Sequence, residues 1–110
     1  MAGAESRIRL RVSVRTRPSD LLSAIREYAT PREGKREGRQ WSIARRRPLV
    51  LRHASRRAQK VKYSFAAADG DVELRVTGKD TRIALAFAVT LLANKRFADQ
   101  IERFEVELPA

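Results

Sequence analysis

The chain has no cysteine and a single histidine, His53. Disulfides and thiolate-held metals are therefore excluded, and one imidazole without thiol partners does not build a conventional zinc site. The lack of thiols fits a reducing, cytoplasmic setting. The opening Met-Ala-Gly-Ala-Glu-Ser-Arg has no apolar stretch of the kind a secretory signal uses. Long hydrophobic runs are also missing. The longest, Ile83 to Ala93, is eleven residues interrupted by Thr90, too short to span a bilayer.

Recognisable catalytic motifs are absent too. Gly78-Lys79-Asp80-Thr81 lacks the spaced first glycine of a phosphate loop, and Asp80 sets a carboxylate where the anion belongs. It reads as a turn followed by a helix N-cap. Asp69, Asp71 and Glu73 lack the spacing of a calcium loop. His53 stands among arginines with no carboxylate partner and reads as a solvated or structural residue. The expectation is a non-enzyme without cofactor, metal or catalytic residue.

What the chain does have is positive charge, gathered in one place. Its 110 residues carry 24 basic and 13 acidic side chains, a net +11. From Arg32 to Lys62 there are twelve basic residues: Arg32, Lys35, Arg36, Arg39, Arg45, Arg46, Arg47, Arg52, Arg56, Arg57, Lys60 and Lys62. Only Glu33 and Glu37 oppose them, so this segment holds +10 and the rest of the chain +1. Such a footprint suits a polyanion. Most of the cations are arginine, whose planar fork matches phosphate.

The flanking sequence reads as one domain spanning 1–110, with 31–60 as a basic loop or insert. Ile8, Leu10, Val12 and Val14 alternate with arginines and Ser13, the pattern of a half-buried strand. Asp20 to Ala29 has helical spacing, with Ser19 or Asp20 as its cap, and Pro31 ends it. Pro31 to Gln40 reads as an exposed, mobile loop, and Trp41 to His53 matches no single pattern. Arg52 to Gln59 suits a helical turn. Val61, Tyr63 and Phe65, then Val72, Leu74 and Val76, predict a hairpin turning at Asp69-Gly70, with its register open across Ala66-Ala67-Ala68. A long helix over Thr81 to Ile101, capped by Asp80, precedes a last strand through Phe104, Val106 and Leu108.

The order β-α-(basic segment)-β-β-α-β is that of a ferredoxin-like two-layer sandwich in the α+β class. One sheet face is then open to solvent, with mixed charges and no aromatic platform for stacking bases. The long helix is apolar over a wide arc. Ile83, Leu85, Phe87, Val89 and Leu92 are the candidate surface of a homodimer.

These features predict non-enzymatic nucleic-acid binding, to RNA or DNA, mainly through phosphates. The twelve cations supply the charge and Trp41 stacks on a base. The alternative is a small subunit or adaptor whose basic segment docks on an acidic protein and whose apolar helix forms a subunit interface.

Overall fold

The computed structural model describes residues 6–79 and 81–107. The Asp80 cap and the Leu108 end of the last strand lie outside the described residues. The elements are β1 (Ser6–Val14), α1 (Pro18–Ala29), β2 (Trp41–Arg46), β3 (Leu49–His53), β4 (Lys62–Ala68), β5 (Asp71–Gly78), α2 (Thr81–Leu92) and β6 (Ile101–Glu107). Short 3-10 turns occupy Arg56–Ala58 and Lys95–Phe97.

The fold is α+β, but the strand order differs from a ferredoxin-like one. Six antiparallel strands lie in the order β2-β3-β4-β5-β1-β6. The difference comes from Trp41–His53. This stretch is not part of a loop insert. It forms the β2–β3 hairpin and extends the sheet by two strands. Trp41, Leu49 and Leu51 supply the buried face that makes strand pairing favourable there. Pro48, with no N–H to give, sits in the turn between the strands, where no ladder bond is lost.

Register follows from the need to bury one face of every strand. Ile43, Leu51, Tyr63, Val76 and Ile8 run across the sheet in one row. Leu49, Phe65, Leu74 and Leu10 make the next. Helix α1 packs across β2 to β5, and α2 across β5 and β1. Leu21 and Ile25 of α1 and Ala84, Ala88 and Leu91 of α2 close the core. Each large aliphatic side chain so buried contributes about 1.5–3 kcal/mol. The Tyr63 hydroxyl donates to the Ala84 carbonyl at 3.0 Å, tying β4 to α2, and burial pushes its phenol pKa up.

The turn at Asp69-Gly70 also fixes the register left open by the three alanines. Both residues have positive φ, 50° and 83°, the conformation of a two-residue hairpin turn. Ala68, Ala67 and Ala66 consequently face Asp71, Val72 and Glu73.

Two helix boundaries depart from expectation. Helix α1 begins at Pro18, whose fixed φ suits a first helical position. Arg17 holds the N-cap position without a side-chain cap, so neither Ser19 nor Asp20 acts as one. Asp20 instead lies in the first turn, 3.5 Å from the Arg17 guanidinium. Helix α2 stops at Leu92 instead of running to Ile101. The Asn94 side chain accepts from the Arg96 N–H at 2.9 Å and its amide donates to the Tyr28 hydroxyl at 3.2 Å. That local bond competes with helix continuation. It turns Phe97 inward, edge-on to Tyr28.

Candidate nucleic-acid interface

Because both helices cover one side of the sheet, its other side is open. Registered pairing defines what that side presents. One row reads Arg45, Val50, Ser64, Arg75, Arg9 and Glu107 from β2 to β6. A second joins Lys62, Thr77 and Arg7, with Arg52 opposite Ser42 on the outer pair of strands. A third joins Ala66, Glu73, Arg11 and Glu105.

These rows divide the face into two halves of different character. On β5, β1 and β6 the cations Arg9, Arg11 and Arg75 are matched, while Arg7, at the Lys62 end, forms no ion pair among the described residues. Arg9 lies 2.6 Å from Glu107 and 3.7 Å from Glu73. Arg75 donates to Glu73 at 2.8 Å, and Arg11 to Asp71 at 3.1 Å. The hydrogen bond donated by Arg75 holds the Glu73 carboxyl below its usual range, and donation from Arg9 to the Glu107 carboxylate raises the pKa of the Arg9 guanidinium. On β2, β3 and β4, among the described residues, nothing matches the charge. From Gly38 to Ala68 the chain has nine cations and no carboxylate. Arg45 and Arg46 lie on β2, Arg45 opposite Val50 on the open face and Arg46 opposite the buried Leu49 on the helix side. Arg47 is in the hairpin turn, Arg52 is on β3, and Arg56 and Arg57 are on the 3-10 turn, which packs against α2. Lys60 precedes β4 and Lys62 begins it. All are exposed, and among the described residues none forms a carboxylate ion pair. Arg52 is steadied by a bond to the Gln59 carbonyl at 3.3 Å. Around them the sheet surface is low, formed by Ser42, Val50, Ser64 and Ala66.

Three of the expected binding residues are used otherwise. Trp41 is only 4% exposed. Its ring meets Tyr63 and His53 edge-on at 4.8 and 4.7 Å, so it is a core residue and no base reaches it. The Lys35 ammonium donates to the Glu27, Tyr28 and Thr30 carbonyls at 2.7, 2.8 and 2.9 Å. These acceptors lie at the C-terminus of α1, where backbone carbonyls lack helical partners and a cation is stabilising. Arg32 pairs with Glu27 at 3.5 Å. Arg36 and Arg39 are exposed, and among the described residues neither forms an ion pair.

The segment 31–40 is accordingly a held loop rather than a free arm. Besides the Lys35 clamp, Arg96 reaches Glu37 at 3.0 Å. Gly38 has φ +71° and is packed against the Tyr28 carbonyl, where any Cβ collides with that oxygen.

His53 has a structural place. Its ring lies flat on Phe87, with centroids 3.9 Å apart and planes 8° from parallel. Its Nδ1 accepts from the Ser55 N–H at 3.0 Å. Burial lowers its pKa below the usual histidine range. The stack also accounts for part of the wide apolar arc of α2, because Phe87 is occupied by it. Leu92 is buried, and Ile83, Leu85 and Val89 are half-buried.

Arg7, outside the basic segment, joins the open surface through the Thr77–Lys62 row. Its signal was the alternation of β1, which does not say which strand comes alongside. Among the described residues no cluster of three or more acidic or histidine side chains is placed to hold a metal. No described helix is long and apolar enough to cross a membrane. Set beside known family models, curated proteins and solved structures, the chain matches none.

Proposed function

We propose that the protein binds nucleic acid, RNA or DNA, through the phosphate backbone, with the β2–β3–β4 half of the open sheet face as the contact surface. The observation that carries the reading is the run from Gly38 to Ala68, whose nine cations have no carboxylate among them. Unmatched cations on a low surface repel one another until an anion lies across them. The carboxylates sit at the other side of the sheet, which leaves one half of the face favourable to a polyanion.

Burial of the aromatics supports backbone contact rather than base stacking. All seven Trp, Tyr and Phe side chains are buried or half-buried. Single-strand platforms stack bases on exposed rings, so the expected ligand mode is sequence-tolerant phosphate binding. Arg45, Arg52 and Lys62 carry the contact on the open face. Arg46 stands opposite the buried Leu49 on the helix side, and Arg56 and Arg57 lie on the turn packed against α2, so these, with Arg36, Arg39, Arg47 and Lys60, add longer-range attraction to the polyanion.

The test is a titration of labelled single- and double-stranded oligonucleotides over a range of salt. Affinity is expected to fall steeply with salt, and Arg45/Arg46/Arg47→Glu to flatten that dependence. Absence of binding at low salt overturns the proposal. A stoichiometric acidic protein that co-purifies, with no nucleic acid, assigns the same cations to protein docking.

A further inference from the structure

We infer that strand β6 is the interface of a symmetric homodimer, in which β6 of two copies pair antiparallel about Phe104. Three observations converge on this strand. It is an edge: β6 pairs with β1 on one side, and among the described residues no strand lies on the other. Its helix-facing side is incompletely covered. Phe104 and Val106 stand opposite Val12 and Leu10, so they belong to the apolar side. Yet the helices pack over the other five strands. Val106 is 39% exposed, the one large apolar side chain so exposed among the described residues, and Phe104 is half-buried. An uncovered edge with apolar residues is a template for another strand.

The third observation is charge, and it selects the occupant. A chain of net +11 repels its own copy over most of its surface. The stretch from Ala98 to Glu107 is the exception, with Asp99, Glu102, Glu105 and Glu107 against Arg103 alone. Self-association is therefore least opposed here. The sequence around Phe104 is also self-complementary. Arg103 precedes it and Glu105 follows it, and both face the open side, opposite Ser13 and Arg11. A two-fold axis through the Phe104 pair sets Arg103 of each copy opposite Glu105 of the other, and Phe104 against Phe104 on the helix-facing side of the sheet. Opposite charges facing across strands are favourable and like charges are not. Both side chains are free to adjust, at 70% and 64% exposure, and their contact within one chain is loose at 4.0 Å.

The experiment is sedimentation equilibrium of the full chain from micromolar to about 100 µM, a range set by the weakness of individual cross-strand pairs. The expected mass is twice the 12.5 kDa of one chain, decreasing with salt. Arg103→Glu or Glu105→Arg alone places like charges opposite each other twice and is expected to weaken the dimer about tenfold or more. The double charge exchange, Arg103→Glu with Glu105→Arg, is expected to restore it, because each reversed residue again meets its opposite. Circular dichroism of each variant verifies the fold. A monomer across the whole range overturns the inference. So does a dimer indifferent to the single reversals, a double exchange no better than either single one, or masses growing beyond two chains. That last outcome would mean head-to-tail pairing of the acidic β6 edge with the basic β2 edge.

Discussion

The imidazole of His53 lies face to face with Phe87, 3.9 Å away and within 8° of parallel. Its Nδ1 lone pair is taken by the Ser55 N–H. A proton on that nitrogen ends the hydrogen bond and charges a ring packed against two aromatics and close in sequence to Arg52, Arg56 and Arg57. Burial accordingly lowers the folded-state pKa, whereas the unfolded value is about 6.5. Between the two, the unfolded chain binds more protons than the folded one, so stability rises with pH. The contribution is complete above the unfolded pKa and is lost as pH falls below it toward the folded pKa. Urea midpoints between pH 8 and pH 5 are expected to decline toward acid for the native chain. In His53→Phe that decline disappears.

Lys35 gives the clearest separation of structure from binding. Removing its ammonium leaves three carbonyls at the end of α1 without this donor. Lys35→Met is expected to cost about 2 kcal/mol, on the scale of hydrogen bonds to charged groups. Thermal melting should show it as a fall of roughly 8–16 °C. Nucleic-acid affinity of the folded variant should change less than twofold. A lysine that contacted phosphate would behave the other way, with stability kept and affinity reduced.

Trp41 should report a dry environment. Its emission is expected to be blue-shifted, poorly quenched by acrylamide, and unchanged on adding an oligonucleotide. Trp41→Ala leaves a core cavity and costs about 3–5 kcal/mol. Quenching of Trp41 by nucleic acid would place the ligand on the wrong side of β2.

The two halves of the open face should respond differently to single substitutions. Arg45→Ala, Arg52→Ala and Lys62→Ala each remove an unmatched cation. Each should lower the slope of log K against log salt by about 0.9 on duplex DNA, one phosphate contact apiece. Arg75→Ala removes a cation already matched by Glu73 and should leave the slope nearly unchanged. Measured slopes for the four variants decide the matter.

Gly38 is expected to tolerate no side chain. Gly38→Ala meets the Tyr28 carbonyl oxygen in a left-handed backbone conformation. It should destabilise by about 1–3 kcal/mol, read from denaturant midpoints.

Much of this structure was legible because β1, β4, β5 and the apolar positions of β6 obey a simple rule. Each turns one face to the helix side and wets the other, so apolar residues recur every second position. Strands β2 and β3 obey the same rule but conceal it. The register shifts between Ile43 and Arg45, so the phase set by Trp41 and Ile43 is broken at Ala44. The arginines that follow are then indistinguishable from a charged loop. With those strands unseen, the remaining elements spell the ferredoxin-like order, which is why that architecture was expected. Helix α2 ends earlier than its sequence suggests for a related reason. Apolar residues continue at helical spacing beyond Leu92, and the Asn94 bonds that divert the chain involve a partner, Tyr28, sixty-six positions away.

The charge of the site was visible in the sequence, and its allocation was not. Nothing in the spacing of Lys35 distinguishes a helix clamp from a phosphate ligand. The carbonyls it reaches belong to the helix before it, and their direction is set by the return of the chain at Gly38. Trp41 lay among cations in sequence, but strand pairing turned its ring inward to Tyr63.

The segregation of charge across the sheet has a further consequence. Carboxylates gather near β6 and unmatched cations near β2, so the protein carries a permanent electric dipole along the strand-stacking direction. In the field of a polyanion that dipole exerts a torque. In the proposed binding, that torque would turn the β2 end forward before contact and make productive encounters more frequent than random collision allows. The fold would then orient the protein while it is still diffusing.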